Sequence, residues 1–148
     1  MAILHLPSAN RQLQAYETRD AGNFSRASGP FCRMAYAAAH VVADPLAAND
    51  PWLTPAIDWD RTIAYREYLW SMGLGVAEAM DTAQRGMGLE WDSARELIRR
   101  SVSAARAYGD ATIANGCGTD HLLPNPSNTL DDIQSAYELQ AEFIQAQG

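Results

Sequence analysis

The chain has 148 residues, 47% of them apolar, with a formal charge of −7. That size and composition suit one folded domain and exclude a chain disordered throughout. All eleven basic residues are arginines, and they are scattered. The acidic balance argues against a nucleic-acid binder, and the lack of lysine means that no side chain here can form a Schiff base.

Arg99-Arg100 is the one adjacent basic pair and reads as a solvated helix face. Cys32 and Cys117 form no CxxC pattern and no disulfide framework. No secretory signal pattern and no apolar run of about 20 residues is present, so the expected setting is the cytoplasm, with reduced thiols and no membrane partner.

Residues 1–31 differ from the rest. Ile3, Leu4 and Leu6, then Pro7 and a polar turn, then Leu13, Ala15 and Tyr16 predict a β-hairpin, followed by a loop-like linker to Gly29-Pro30. From residue 32 a strand–helix unit is expected three times. Met34–Val42 is an uncharged apolar run whose alanines would also suit a helix; its place in the series favours a buried strand. A long loop with three prolines runs from Asp44 to Pro55.

Asp58 then caps a helix over about Trp59–Met72, which Gly73 ends. Leu74–Ala79 is the second apolar run. The second helix has Ala94, Leu97, Ile98, Val102 and Ala105 on one face, and Gly109 closes it. Asp110–Ala114 is the third run. Thr129 caps the third helix, with Asp131 and Asp132 in its first turn and Ile133, Ala136, Tyr137, Gln140 and Ile144 as its inner stripe.

Glycine ends a helical stretch three times, at Gly73, Gly109 and Gly148. Alternating strands and helices argue a parallel sheet with right-handed crossovers. Two architectures fit: a small open doubly wound sheet, or the first three units of a (β/α)₈ barrel. In the second case residues 32–148 are a partial TIM-barrel domain and the series is cut off partway, since a whole barrel needs about 250 residues.

In both architectures ligands bind beyond the carboxyl ends of the strands. The residues there are His40 and Asp44; Glu78, Asp81, Thr82, Gln84 and Arg85; and Asn115, Gly116, Cys117, Gly118, Thr119, Asp120 and His121. His40, inside an apolar run, is either a hydrogen-bonded core histidine or a base or ligand. Glu78 is costly to bury unpaired, so it must face a polar cavity or pair with an arginine. Gly116-Cys117-Gly118-Thr119 offers backbone N–H groups and a hydroxyl to a carboxylate or phosphate, or is a plain tight turn; it is neither a Walker motif nor GxGxxG. His40, Glu78, Asp120 and His121 have the donor types for a divalent metal, although their spacing is not diagnostic.

Three stretches resemble one family. Arg33–Pro45, the run Gly73–Leu89 with its Val76-Ala77-Glu78-Ala79-Met80-Asp81-Thr82-Ala83-Gln84-Arg85-Gly86, and Gly116–Leu122 look like an uncharacterised bacterial family related to dihydrodipicolinate synthase. The likeness covers essentially the whole chain, but only the N-terminal part of the family's length. It implies a class I aldolase-type (β/α)₈ barrel that makes or breaks a carbon–carbon bond next to a carbonyl through a lysine Schiff base.

Asp81-Thr82-Ala83 falls where that superfamily carries a hydroxyl-bearing loop for the substrate carboxylate. Thr82 matches its hydroxyl; the loop's two glycines and second threonine are not matched. The resemblance assigns the lysine and the proton-relaying tyrosine to later strands, so no catalytic residue is assignable within these residues.

The expectation is therefore the N-terminal part of an aldolase-like lyase acting on a keto acid or sugar-derived carbonyl compound. It would be inactive by itself, need no cofactor, and belong to a homo-oligomer in its full length. The substrate-side candidates are His40, Glu78, Asp81, Thr82, Gly118, Thr119, Asp120 and His121. The alternatives are a metal-dependent sugar isomerase or epimerase barrel and a self-contained α/β binding module.

Overall fold

A computed structural model of the chain describes residues 1–20 and 31–148. The expected linker before Gly29-Pro30 lies mostly outside the described residues. Strands β1 (Ile3–Pro7) and β2 (Leu13–Glu17) form the antiparallel pair, with Leu4 opposite Tyr16 and Pro7 opposite Leu13. Ser8 closes the turn: its hydroxyl donates to the Gln12 carbonyl at 2.7 Å.

The main body alternates as expected: β3 (Tyr36–Ala38), α1 (Trp59–Ser71), β4 (Gly75–Glu78), α2 (Trp91–Tyr108), β5 (Ile113–Asn115) and α3 (Leu130–Ala146). The three strands form one parallel sheet in the order β3-β4-β5. This is a mixed α/β fold whose small sheet is open and not closed into a barrel. The strands are shorter than the apolar runs that contain them. Ala39 and His40 have already left β3, and their carbonyls bond to a side chain of α1 instead of a neighbouring strand.

Local chemistry sets the helix ends. Asp58 accepts the Arg61 N–H at 3.0 Å and starts α1. At its other end Gly73, at φ 80°, lets Leu74 N–H reach the Leu69 carbonyl and its own N–H reach Trp70, a Schellman turn. Thr129 and Asp132 bond reciprocally in a capping box at the start of α3.

The sheet has two unlike faces. Ala37, Val76 and Ile113 stand in register across the three strands and pack against α1 and α2. Leu69 and Trp70 of α1 and Ala105 of α2 meet them there. A second cluster joins Leu97, Ile98 and Val102 of α2 to Ala79, Ala83 and Leu89, with Phe143 and Ile144 of α3 at its margin. Burying side chains such as Leu97 and Ile98 stabilises by about 1.5–3 kcal/mol each.

On the opposite face Ala38, Ala77 and Ala114 form a second row in register. Ala38 and Ala114 are exposed and Ala77 is half-buried. At one end of that face the Tyr36 ring lies over Gly75, where a Cβ would come within 2.8 Å of it.

α3 corrects one expectation. Of its proposed inner stripe, Ala136 and Gln140 are buried, whereas Ile133 and Tyr137 are 39% and 46% exposed. The helix is held by the face around Gln140, which bonds to loops, and by Phe143 and Ile144 in the second cluster. Its first turns lie outside those contacts.

Candidate functional site

Two polar networks occupy the carboxyl-end side of the sheet, and they differ in kind. The first centres on Glu78, the last residue of β4, which is completely buried. Its carboxylate accepts from Arg66 Nε at Oε2 and from Arg66 Nη2 at Oε1, both at 2.8 Å. Oε2 also accepts from Ser101 Oγ at 2.6 Å, and Oε1 from the Ala79 N–H at 2.9 Å.

The remaining Arg66 donors go to the carbonyls of His40 (2.7 Å), Thr62 (3.1 Å) and Ala39 (3.5 Å). Five N–H groups and two carboxylate oxygens are thus all engaged. One ion pair ties the end of β3, α1, β4 and α2 together. Of the two fates open to a carboxylate in this apolar run, Glu78 has the arginine partner and no room for a ligand. Its role is to hold the elements that carry the loops.

The second network lies between the loops after β4 and β5. The chain turns sharply at Ala79, whose φ of 49° is in the left-handed region, and again at Gln84, φ 59°. This brings Arg85 back under the β5 loop. Its Nε donates to Asp120 Oδ1 at 3.0 Å, and Nη2 lies 2.9 Å from the same oxygen. Its Nη1 donates to the carbonyls of Gly116 (2.5 Å) and Ala79 (3.3 Å), and Nη2 to Gln140 Oε1. The guanidinium stacks 4.9 Å from the Trp91 ring centroid.

Gln140, fully buried on α3, completes the group. Its Oε1 accepts the Gly118 N–H at 2.7 Å, and its Nε2 donates to Asp120 Oδ1 at 3.0 Å and lies 2.7 Å from His121 Nδ1. The His121 ring sits 6.0 Å from Trp91.

These contacts frame a cleft of about 310 Å³ bordered by Ala79, Met80, Gly116, Cys117, Thr119 and Asp120. Asp120 Oδ2 is buried and has no hydrogen-bond partner in the described residues; Asn115 Oδ1, one residue before the cleft, is in the same position. A second cleft of about 400 Å³ runs between the 41–57 loop and residues 83–90.

The sequence candidates divide accordingly. Gly118, Thr119, Asp120 and His121 gather at one place with Arg85 and Gln140. Thr82 is exposed in the short 3₁₀ turn Asp81–Ala83 beside them. His40 is elsewhere: its ring stacks on Tyr65 of α1 at 4.9 Å and its Nδ1 lies 3.0 Å from the Val41 carbonyl.

The metal set His40, Glu78, Asp120 and His121 is therefore not assembled. Glu78 is spent on Arg66, His40 on α1, and among the described residues no three His, Cys, Asp or Glu side chains group to hold an ion. Gln140 and Trp91 were missing from the sequence candidates. A glutamine in the middle of the apolar stripe of α3 was the available signal for the first; nothing in the sequence marked Trp91.

Electrostatics follow from the same geometry. Burial acts to raise the Asp120 pKa, but hydrogen bonds from Arg85 and Gln140 outweigh it, and the net value lies below the ordinary 3.8. A folded pKa below the unfolded one means that ionised Asp120 stabilises the fold at neutral pH. That contribution is lost as pH falls from the unfolded value, about 4, through the folded one. Glu96, held by Arg100 and Arg99, and Asp132 in the capping box titrate in the same direction. Asp120→Asn is expected to flatten the fall of the urea midpoint below about pH 4; an unchanged slope would show that Asp120 is not coupled to folding.

The family described as "Protein of unknown function (DUF993)" matches residues 4–148, and the chain belongs to it. A search of curated proteins gives no significant match.

Proposed function

We propose that these residues form the first three βα units of an aldolase-type (β/α)₈ barrel of the dihydrodipicolinate synthase-like kind, and that the loops after β4 and β5 are the substrate side of its site. The observation that carries this reading is the in-register row Ala38, Ala77 and Ala114, open on the face opposite α1 and α2. Parallel sheets are covered on both faces, and in a barrel the inner face is filled by side chains from the other strands. Sequential strand order with α1 and α2 on one face is how such a barrel begins. The likeness of Gly73–Leu89 and Gly116–Leu122 to that family supports the same reading.

In this reading the reaction is a lyase step on a keto acid or sugar-derived carbonyl compound. The Schiff-base lysine comes from outside these residues, which hold none. What they supply is a rigid floor, the Thr82 and Thr119 hydroxyls and the Asp120–His121 corner. The partner is a small molecule rather than nucleic acid or membrane, and the setting is the cytoplasm, which the free thiols of Cys32 and Cys117 suit. Among the described residues no helix is long and apolar enough to cross a membrane. Leu46, Trp52 and Leu53, exposed on the 41–57 loop, favour contact with another subunit.

Borohydride reduction of the protein expressed from its complete reading frame, in the presence of a keto acid or aldose, is expected to trap a covalent adduct on a lysine outside residues 1–148. No adduct with any carbonyl compound would overturn the lyase reading.

A further inference from the structure

The second cleft, of about 400 Å³, lies apart from the Asp120 network. One wall is the loop after β3 and the other the turn that leads into α2. Its floor belongs to the core: Ala83 and Leu89 are buried, and Val41 and Ile57 pack half-buried against the same cluster.

Both walls are held by their own hydrogen bonds. In the first, the Asp44 N–H donates to the Ala56 carbonyl (2.9 Å) and the Asp58 N–H to Val42 (2.8 Å). The Leu53 and Thr54 N–H groups both donate to the Asp50 carbonyl, at 3.1 and 3.0 Å. In the second, the Gly86 N–H donates to Leu89 and the Leu89 N–H to Gln84, both at 3.1 Å. Gln84 takes its left-handed φ of 59° to make that turn. The cleft is thus preformed, and its volume is that of a small-molecule pocket.

Its charge is one-sided. Asp44 and Glu90 border it and are exposed, and among the described residues neither forms an ion pair. Asp44 spends one oxygen on the Leu46 N–H at 3.0 Å. Glu90 stands at the N-cap of α2 without a side-chain capping bond. No arginine or histidine lines the cleft, and Arg85, next to Gln84, is turned to Asp120. The Trp52 ring, 93% exposed, adds an aromatic face.

An anion would meet two carboxylates and no cation. A neutral ligand would gain apolar burial alone. A cation with an apolar body gains that burial, the attraction of the carboxylates and that of the indole face. We propose that this cleft binds a small organic ammonium, its apolar body on Ile57 and Leu89 and its charge drawn to Asp44, Glu90 and Trp52. The site goes beyond the proposed function and does not rest on it: borohydride trapping and ammonium binding can fail separately.

A subunit covering Trp52 would block the ligand, so the test is made on the protein expressed from its complete reading frame. Fluorine spectra are recorded on 5-fluorotryptophan-labelled protein, the Trp52 resonance being identified by its loss in Trp52→Phe. Phenethylamine, an ammonium at pH 7, is expected to move that resonance saturably. 2-Phenylethanol and 3-phenylpropionate, of similar size but neutral and anionic, should bind at least about threefold more weakly. Asp44→Asn with Glu90→Gln keeps the side-chain shapes and an acceptor for Leu46. It should weaken phenethylamine by about threefold to tenfold and leave 2-phenylethanol unchanged. Should that variant fail to fold, about 0.5 M sodium chloride on the unaltered protein should weaken the amine and not the alcohol. No saturable shift with the amine, equal or tighter binding of the alcohol or the carboxylate, or an amine affinity that neither the double variant nor salt alters would overturn the proposal.

Discussion

Replacing either Arg66 or Glu78 with alanine is expected to cost about 3–5 kcal/mol of folding stability, the largest loss for any single polar change in the chain. Both side chains are completely buried and satisfy one another through two bonds of 2.8 Å. Removing one leaves the other as an unpaired charge in an apolar interior. It also frees the carbonyls of Ala39 and His40, or the hydroxyl of Ser101, whose partners are gone.

The double variant Arg66→Met/Glu78→Leu should lose much less than the two singles added together, because it removes both charges at once. Urea unfolding of the three variants measures this. Single losses below about 1 kcal/mol would mean that the pair is not held as described.

Arg85 is the second sensitive position. Arg85→Ala is expected to cost about 2–4 kcal/mol, because Asp120 would keep its burial and lose its cation. Arg85→Lys should recover less than half of this. A lysine is a point charge with three donors; it cannot reach Asp120, Gln140 and the Ala79 and Gly116 carbonyls together, nor stack flat on Trp91. Full recovery by lysine, read from thermal or urea unfolding, would show that only the charge matters. Glycine or alanine at Gln140 should lower stability as well, and would in addition loosen the β5 loop at Gly118.

How far the sequence reaches is clear from these residues. The helix boundaries were legible because their causes are local: Asp58 and Thr129 as caps, Gly73 in the left-handed region as a stop. The order β, α, β, α, β, α followed from alternating patterns, although the apolar runs overstated each strand by several residues. Glu78 was recognisable as a buried carboxylate needing a partner, but not which one. Arg66 stands four residues after Thr62 and three before Leu69 on the buried side of α1, and an arginine on that face was the signal.

The candidate site was half visible. Gly118–His121 lay where the fold puts ligands, and Arg85 was in view in the loop after β4. That Arg85 donates to Asp120, Gln140 and the Gly116 and Ala79 carbonyls is a matter of side-chain geometry that no spacing encodes. His40 lies apart from this group: it follows a strand, and its ring packs on Tyr65.

In the proposed barrel the alanine face of the sheet is the inner wall. The direct measurement is the alkylation rate of Ala38→Cys and Ala114→Cys, each in a background with Cys32 and Cys117 replaced by serine. It is made once in the 148-residue chain and once in the protein expressed from its complete reading frame. Rapid labelling is expected in the first, where both positions are exposed, and strong protection in the second. Equal, rapid labelling in both would contradict it.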